Sequence, residues 1–143
     1  MVDKVKPLFD GLFGINDHIK ESTRNGAVQL YYHSKQLSVF LDSIGVPAKE
    51  KNQASIPKWI TDNPAFLAAC LRGLIDTDGS IHRLSKRDFR LLRISFKNNN
   101  RRLLEDVRQG FLQLGFHPSK IILNQMFLTR KADIALFHSK IGV

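Results

Sequence analysis

Leu71-Arg72-Gly73-Leu74-Ile75-Asp76-Thr77-Asp78-Gly79 is the stretch whose reading decides the fold. An apolar run with small residues leads into two carboxylates spaced Asp-x-Asp, then a glycine and a β-prone segment. This pattern predicts a buried helix whose last turn brings acidic side chains to one point. Upstream, Asn63 and Pro64 form a helix start, an N-cap candidate followed by proline at the first helical position. Ala65, Ala69, Arg72, Gly73 and Asp76 fall on one stripe of mostly small side chains, which would let another helix approach closely. Leu67, Leu71 and Leu74 line an adjacent stripe suited to the protein's own core. Gly79 is expected to end the helix in a conformation that other residues resist. Acids at a helix C-terminus oppose the helix dipole, so a cationic group is expected near them.

These residues resemble, letter for letter at most positions, the motif that names the LAGLIDADG homing endonucleases. Gly79-Ser80-Ile81 continues as in that family. Ile56-Pro57-Lys58-Trp59-Ile60 resembles the segment before the second motif in two-motif and intein-borne members. The resemblance implies an α+β fold, an αββαββα unit whose antiparallel sheet binds DNA. The alternative without chemistry is a buried helix ending in an Asp-Gly turn.

Composition narrows the classes. The chain has 143 residues, enough to bury a core as one compact domain or two intimate subdomains. Its 22 Lys+Arg against 13 Asp+Glu leave a net charge of +9. That balance suggests a polyanionic partner, nucleic acid before membrane, because no basic amphipathic helix stands out. Cys70 is the only cysteine, which excludes a disulfide framework or a cysteine zinc site within one chain. No signal peptide or membrane-length apolar run appears, so an intracellular protein, cytoplasmic or nucleoid-associated, with no membrane contact is expected.

In order, the chain opens with a helix over roughly Pro7 to Phe13, stopped by Gly14. Strands follow at about His18 to Thr23 and Ala27 to His33, turning at Asn25-Gly26, where both positions tolerate positive φ. A helix from Ser34 to Ser43 is expected to bury Leu37, Phe40 and Leu41 before Gly45 closes it. Val46 to Ser55 reads as a polar linker, and Trp59 with Ile60 as a packed single turn. Beyond Gly79, Ser80 to Lys86 and Phe89 to Lys97 read as a hairpin turning near Arg87-Asp88. Asn98-Asn99-Asn100 caps a helix to Leu114 carrying Leu103, Leu104, Val107, Phe111 and Leu114 at helical spacing. Gly115 ends it. Lys120 to Asn124 and Met126 to Thr129 read as a second hairpin, and Asp133 to Ile141 as a closing helix.

There is an internal echo. Phe40-Leu41-Asp42-Ser43-Ile44-Gly45-Val46 and Phe137-His138-Ser139-Lys140-Ile141-Gly142-Val143 share four of seven residues at an offset of 97. A duplicated unit follows. Residues 1–45 read as a partial first repeat, 46–62 as linker, and 63–143 as a complete repeat. The counterpart of the motif helix would precede Met1. A second motif helix is therefore expected from a partner chain in a homodimer, or from a missing N-terminal half.

Hydrolysing a DNA phosphodiester requires a nucleophilic water, charge stabilisation at phosphorus and help for the leaving oxygen. Divalent ions held by hard oxygen ligands supply these, and Mg²⁺ prefers carboxylates. In the family resembled, two motif helices pack side by side and the second acid of each holds metal. That implies Asp78 as catalytic acid and Mg²⁺ ligand, with the Gly79 carbonyl beside it. Asp76 is expected in a local hydrogen bond or a salt link to arginine. Arg72, standing where the motif has alanine, either offsets the acids or faces DNA. Ala69, Arg72, Gly73 and Asp76 then form the helix interface. The resemblance also implies a lysine ending the last strand, Lys131 or Arg130, and a polar residue ending the second, Lys97 or Asn98.

Strand alternation carries the binding argument. Ile81, Leu92, Ile94 and Phe96 face the helices, which sends His82, Leu84, Lys86, Arg93, Ser95 and Lys97 to the open face. Cations and hydrogen-bonding groups so placed suit a major groove of double-stranded DNA. Lys120, Ile122, Asn124 and Thr129 extend that surface. The expected function is a sequence-specific, Mg²⁺-dependent endonuclease making double-strand cuts at a long site. The alternative is a DNA-binding regulator or RNA maturase of the same fold without cleavage.

Overall fold

A computed structural model describes residues 2–14, 19–24, 27–46, 53–84 and 91–142. The chain divides into two compact units, Met1–Ile44 and Gly45–Val143.

The first unit runs helix, hairpin, helix: α1 (Val2–Phe13), β1 (Ile19–Arg24), β2 (Ala27–Tyr32) and α2 (Lys35–Ser43). α1 begins earlier than its apolar face suggests and carries Pro7 inside it. Pro7 is the sixth of the helix's 12 residues, past the first four N–H groups that have no partner, so it removes one backbone hydrogen bond from the helix interior. The hairpin is antiparallel, from Ile19 opposite Tyr32 to Arg24 opposite Ala27. Its expected turn at Asn25-Gly26 lies outside the described residues. Ser34 caps α2 by accepting from the Leu37 N–H at 3.1 Å. α2 buries none of its residues, contrary to the burial expected for Leu37, Phe40 and Leu41, and Phe40 remains 50% exposed. One hairpin and two helices enclose too little volume to remove both faces of α2 from water.

The second unit holds α3 (Lys58–Thr61), α4 (Pro64–Asp78), β3 (Gly79–Arg83), β4 (Leu92–Lys97), α5 (Arg101–Gln113), β5 (Gln125–Leu128) and α6 (Lys131–Lys140). α4 starts as its sequence dictates. The Asn63 side chain accepts from the Ala65 N–H at 2.9 Å and the Phe66 N–H at 3.3 Å, and Pro64 stands at the first turn. Its buried stripe is Leu67, Leu71 and Ile75, recurring every four residues, while Leu74 is partly buried beside it. Burying each such side chain contributes about 2 kcal/mol. α5 lies close against this stripe: a Cβ added at buried Gly110 would come 3.0 Å from Leu67 Cδ1.

The sheet is antiparallel in the order β3-β4-β5, with β4 central. Ile94, Phe96, Met126 and Leu128 share one face and are fully buried with Leu104, Val107 and Phe111 of α5 and Phe137 of α6. The helices therefore cover one face only. Ile81 shares that side with its partner Ile94 but stays 38% exposed, because β3 is an edge strand. In the stretch expected as linker, Ile56 is buried. Its N–H donates to Asp106 Oδ2 at 2.9 Å, and Asn100 Nδ2 donates to the Ala54 carbonyl at 2.7 Å.

Two expectations change. Gly79 is not left-handed: its φ of −91° and ψ of 171° are extended, and the helix passes directly into β3. Glycine is needed there for space, since a Cβ would lie 2.5 Å from the Ile75 carbonyl oxygen and 2.8 Å from its Cα. The second hairpin is also lopsided. Leu123 and Asn124 have φ of 49° and 58° and form its turn, so only Ile122 bridges to Gln125 on the incoming arm. A strand reaching Asn124 is impossible with two residues on the positive-φ side.

Candidate functional site

The site grows from the junction of α4 and β3. Because Gly79 admits no bend between helix and strand, Asp78 is delivered to the end of the sheet where β4 finishes. There Asn98 Nδ2 donates to Asp78 Oδ2 at 3.0 Å. Asn98 is held on two further sides. Its Oδ1 accepts from the Asn100 N–H at 2.8 Å, and its own N–H donates to the Asn124 carbonyl at 3.1 Å. Thus α4, the cap of α5 and the β5 turn converge on one exposed carboxylate. Of the two polar candidates at the end of β4, Asn98 reaches Asp78, while Lys97 is exposed opposite Gln125.

Asp76 points elsewhere, with its Oδ2 3.7 Å from Arg72 Nε and both side chains about half exposed. Such a pair contributes little to stability. Arg72 also borders Gly142 at the end of α6, where an added Cβ would come 3.3 Å from Nη1. Ala65, Ala69, Arg72, Gly73 and Asp76 are all exposed along α4, and a Cβ at Gly73 would meet nothing within 4 Å.

Lys131 does not join the constellation. β5 starts beside Lys97 at Gln125 and runs away from Asp78, so Leu128 is already opposite Ile94, roughly 10 Å along the strand. Lys131 opens α6 beyond that, after exposed Arg130. The resemblance implies a lysine ending the last strand, and in the antiparallel register that end of β5 points away from Asp78.

On the open face, the register sets His82 opposite Arg93 and Ser80 opposite Ser95, with Ser95 opposite Phe127 and Lys97 opposite Gln125. The alternation expected for His82, Arg93, Ser95 and Lys97 holds. Ser95 is nevertheless only 5% exposed, because a short side chain at mid-sheet is shaded by both neighbours, and its hydroxyl lies 3.5 Å from the Ser80 carbonyl. Leu84 is exposed, its N–H bonded to the Leu91 carbonyl, and Thr129 lies just past β5 with its side chain exposed. Lys86, with the turn at Arg87-Asp88, lies outside the described residues. Lys120 and Asn124 are exposed on either side of Ile122 and Leu123.

Phe127, not among the residues expected on this face, is the one that alternation from Thr129 reaches. The Arg93 guanidinium lies 4.7 Å from its ring centroid, and Arg93 Nε is buried with no partner. The ring face attracts and holds the guanidinium, whose N–H groups are suited to phosphate or guanine.

Among the described residues, no three His, Cys, Asp or Glu side chains converge as a metal cluster. Asp78 is one hard carboxylate with a carbonyl beside it. Mg²⁺ commonly takes one or two protein carboxylates and completes its shell with phosphate and water, so the donors present fit half of such a site. Burial pushes the Cys70 thiol up from its ordinary value, marking it as a packing residue. No helix among the described residues is long and apolar enough to cross a membrane.

A LAGLIDADG-like domain family model matches residues 65–142, just over half of the chain, from the first turn of α4 to the end of α6. Nothing among curated proteins or solved structures matches it. The matched span contains the motif helix, the three-stranded sheet and both following helices, and the chain belongs to the LAGLIDADG homing endonuclease family.

Proposed function

We propose that this protein is a sequence-specific DNA endonuclease that makes Mg²⁺-dependent double-strand cuts at a long recognition site. The observation that carries the reading is the Asn98–Asp78 contact: a carboxylate is held at the end of a sheet whose uncovered face bears Arg93, Lys97 and His82. Asp78, with the Gly79 carbonyl, would hold Mg²⁺ together with oxygens of the DNA. When bound, the ion lowers the pKa of a water and stabilises charge on the phosphate. Asn98 orients the carboxylate by donating to Oδ2, so that Oδ1 would be the oxygen left to hold the ion. Arg93 and Lys97 bind the phosphate backbone and base edges, which fixes the register of the duplex.

One carboxylate serves one strand. The second comes from another motif helix packed on the exposed Ala69–Gly73 stripe of α4, in a homodimer or from an N-terminal half. We read residues 1–45 as a partial copy of the same repeat without its motif helix, a reading that the helix-hairpin-helix order of α1 to α2 supports.

The test is Asp78→Asn in cleavage and binding assays on the same DNA library. It removes a hard ligand and little binding surface, so Mg²⁺-dependent cutting is lost and most affinity remains. Normal cutting by the variant refutes the role of Asp78. Binding with no cutting by the wild type assigns the chain to the DNA-binding regulators or maturases of this fold.

A further inference from the structure

The tip of the β5 hairpin is built against local preference. Ile122 and Gln125 exchange both backbone hydrogen bonds at 3.0 Å across a two-residue loop. Both loop residues have positive φ, 49° at Leu123 and 58° at Asn124, which is the pattern of a type I′ turn. Asn, Asp and Gly favour those positions. Asn124 suits its place, whereas leucine resists this conformation.

Packing does not offset the strain. Leu123 is 90% exposed and Ile122 is 63% exposed, so the turn holds two large apolar side chains in solvent. The tip is also anchored to the candidate active site. The Asn124 carbonyl accepts from Asn98 N–H, and Asn98 holds Asp78. Lys97 and Lys120 stand exposed on either side of it. Two cations flanking an apolar point disfavour a second basic copy of this chain and favour a stack of bases between phosphates.

We infer that Leu123, with Ile122 behind it, is a wedge that enters the base stack of duplex DNA next to the phosphate addressed by Asp78. This rests on the DNA-binding reading above and adds a positioning role that the acidic site does not contain. Apolar side chains inserted at a base step unstack it and unwind or kink the duplex. Opening the helix there would bring a scissile phosphate within reach of a carboxylate fixed at the end of a rigid sheet.

The experiment uses relaxed closed-circular plasmid, a topoisomerase that works without divalent ions, and EDTA to prevent cutting. Linking number and bound protein are measured in the same samples. The wild type lowers the linking number in proportion to bound protein. Leu123→Asn and Leu123→Gly lose that shift while retaining binding, and both fold, because each relieves the positive-φ strain. Variants that unwind as well as the wild type overturn the wedge, as does a wild type that binds without unwinding. A fall in solution mass for the variants means that Leu123 packs on a second copy, and also overturns it. Absence of any plasmid binding by the wild type sinks the DNA reading itself.

Discussion

Gly73 within α4 and Gly79 directly after it should respond to the same substitution with opposite signs. Gly79→Ala places a methyl 2.5 Å from the Ile75 carbonyl oxygen, 2.8 Å from Ile75 Cα and 2.9 Å from its Cγ2. Ordinary contacts between such atoms begin near 3.5 Å. Two of the three obstacles are backbone inside a hydrogen-bonded turn, so β3 must move instead. Overpacking of this kind costs about 2 kcal/mol. In a unit of this size that lowers the melting midpoint by roughly 8–15 °C. Gly73→Ala meets nothing within 4 Å and removes a flexible residue from an exposed helix interior, gaining about 1 kcal/mol. Urea unfolding at low protein concentration, followed by circular dichroism, measures both. A Gly79→Ala change within about 0.5 kcal/mol of wild type, the usual range for innocuous surface changes, refutes the close helix-to-strand passage. A destabilising Gly73→Ala refutes the open face of α4 in the free chain. Gly73→Leu tests the paired state: it folds as a monomer, but sedimentation and cleavage should show lost assembly.

Other outcomes follow from single contacts. Arg93→Ala should weaken DNA binding about tenfold and flatten the slope of log affinity against log salt by about 1, measured by salt titration. Arg93→Lys should recover the slope but not the stacked geometry over Phe127. Asp133 is 1% exposed in the first turn of α6 and accepts from the His117 N–H at 3.3 Å, with the His117 ring Nδ1 3.1 Å away. Asp133→Ala should cost about 2 kcal/mol in the same unfolding assay, by removing the acceptor of the His117 N–H and leaving a gap at a buried position. Burial holds the Cys70 thiol protonated above its usual range, so disulfide reagents should react far more slowly with native than with unfolded protein. Because the folded thiol binds its proton more tightly, its stabilising contribution is present below pH 9 and lost as pH rises beyond that.

The helix from Asn63 to Asp78 is legible in the sequence alone, and so is the order of elements around it. Caps, proline placement and apolar spacing act within a few residues, so the Asn63 and Asn100 caps and the buried Leu67–Leu71 stripe follow from local chemistry. Strand alternation likewise sorted His82, Arg93 and Lys97 from Ile94 and Phe96. Alternation names a face but not an end. The β3–β4 register brings Asn98 to the acid, and the β4–β5 pairing, between segments some thirty residues apart, sets the Asn124 carbonyl against Asn98 and carries Lys131 away. The tertiary structure likewise decided that Gly79 answers to the Ile75 carbonyl rather than to a left-handed turn, and that Ser95 is shaded at mid-sheet. Close approach and shading arise only when separate elements share the same space, and neither has a signature in the residue's own neighbourhood.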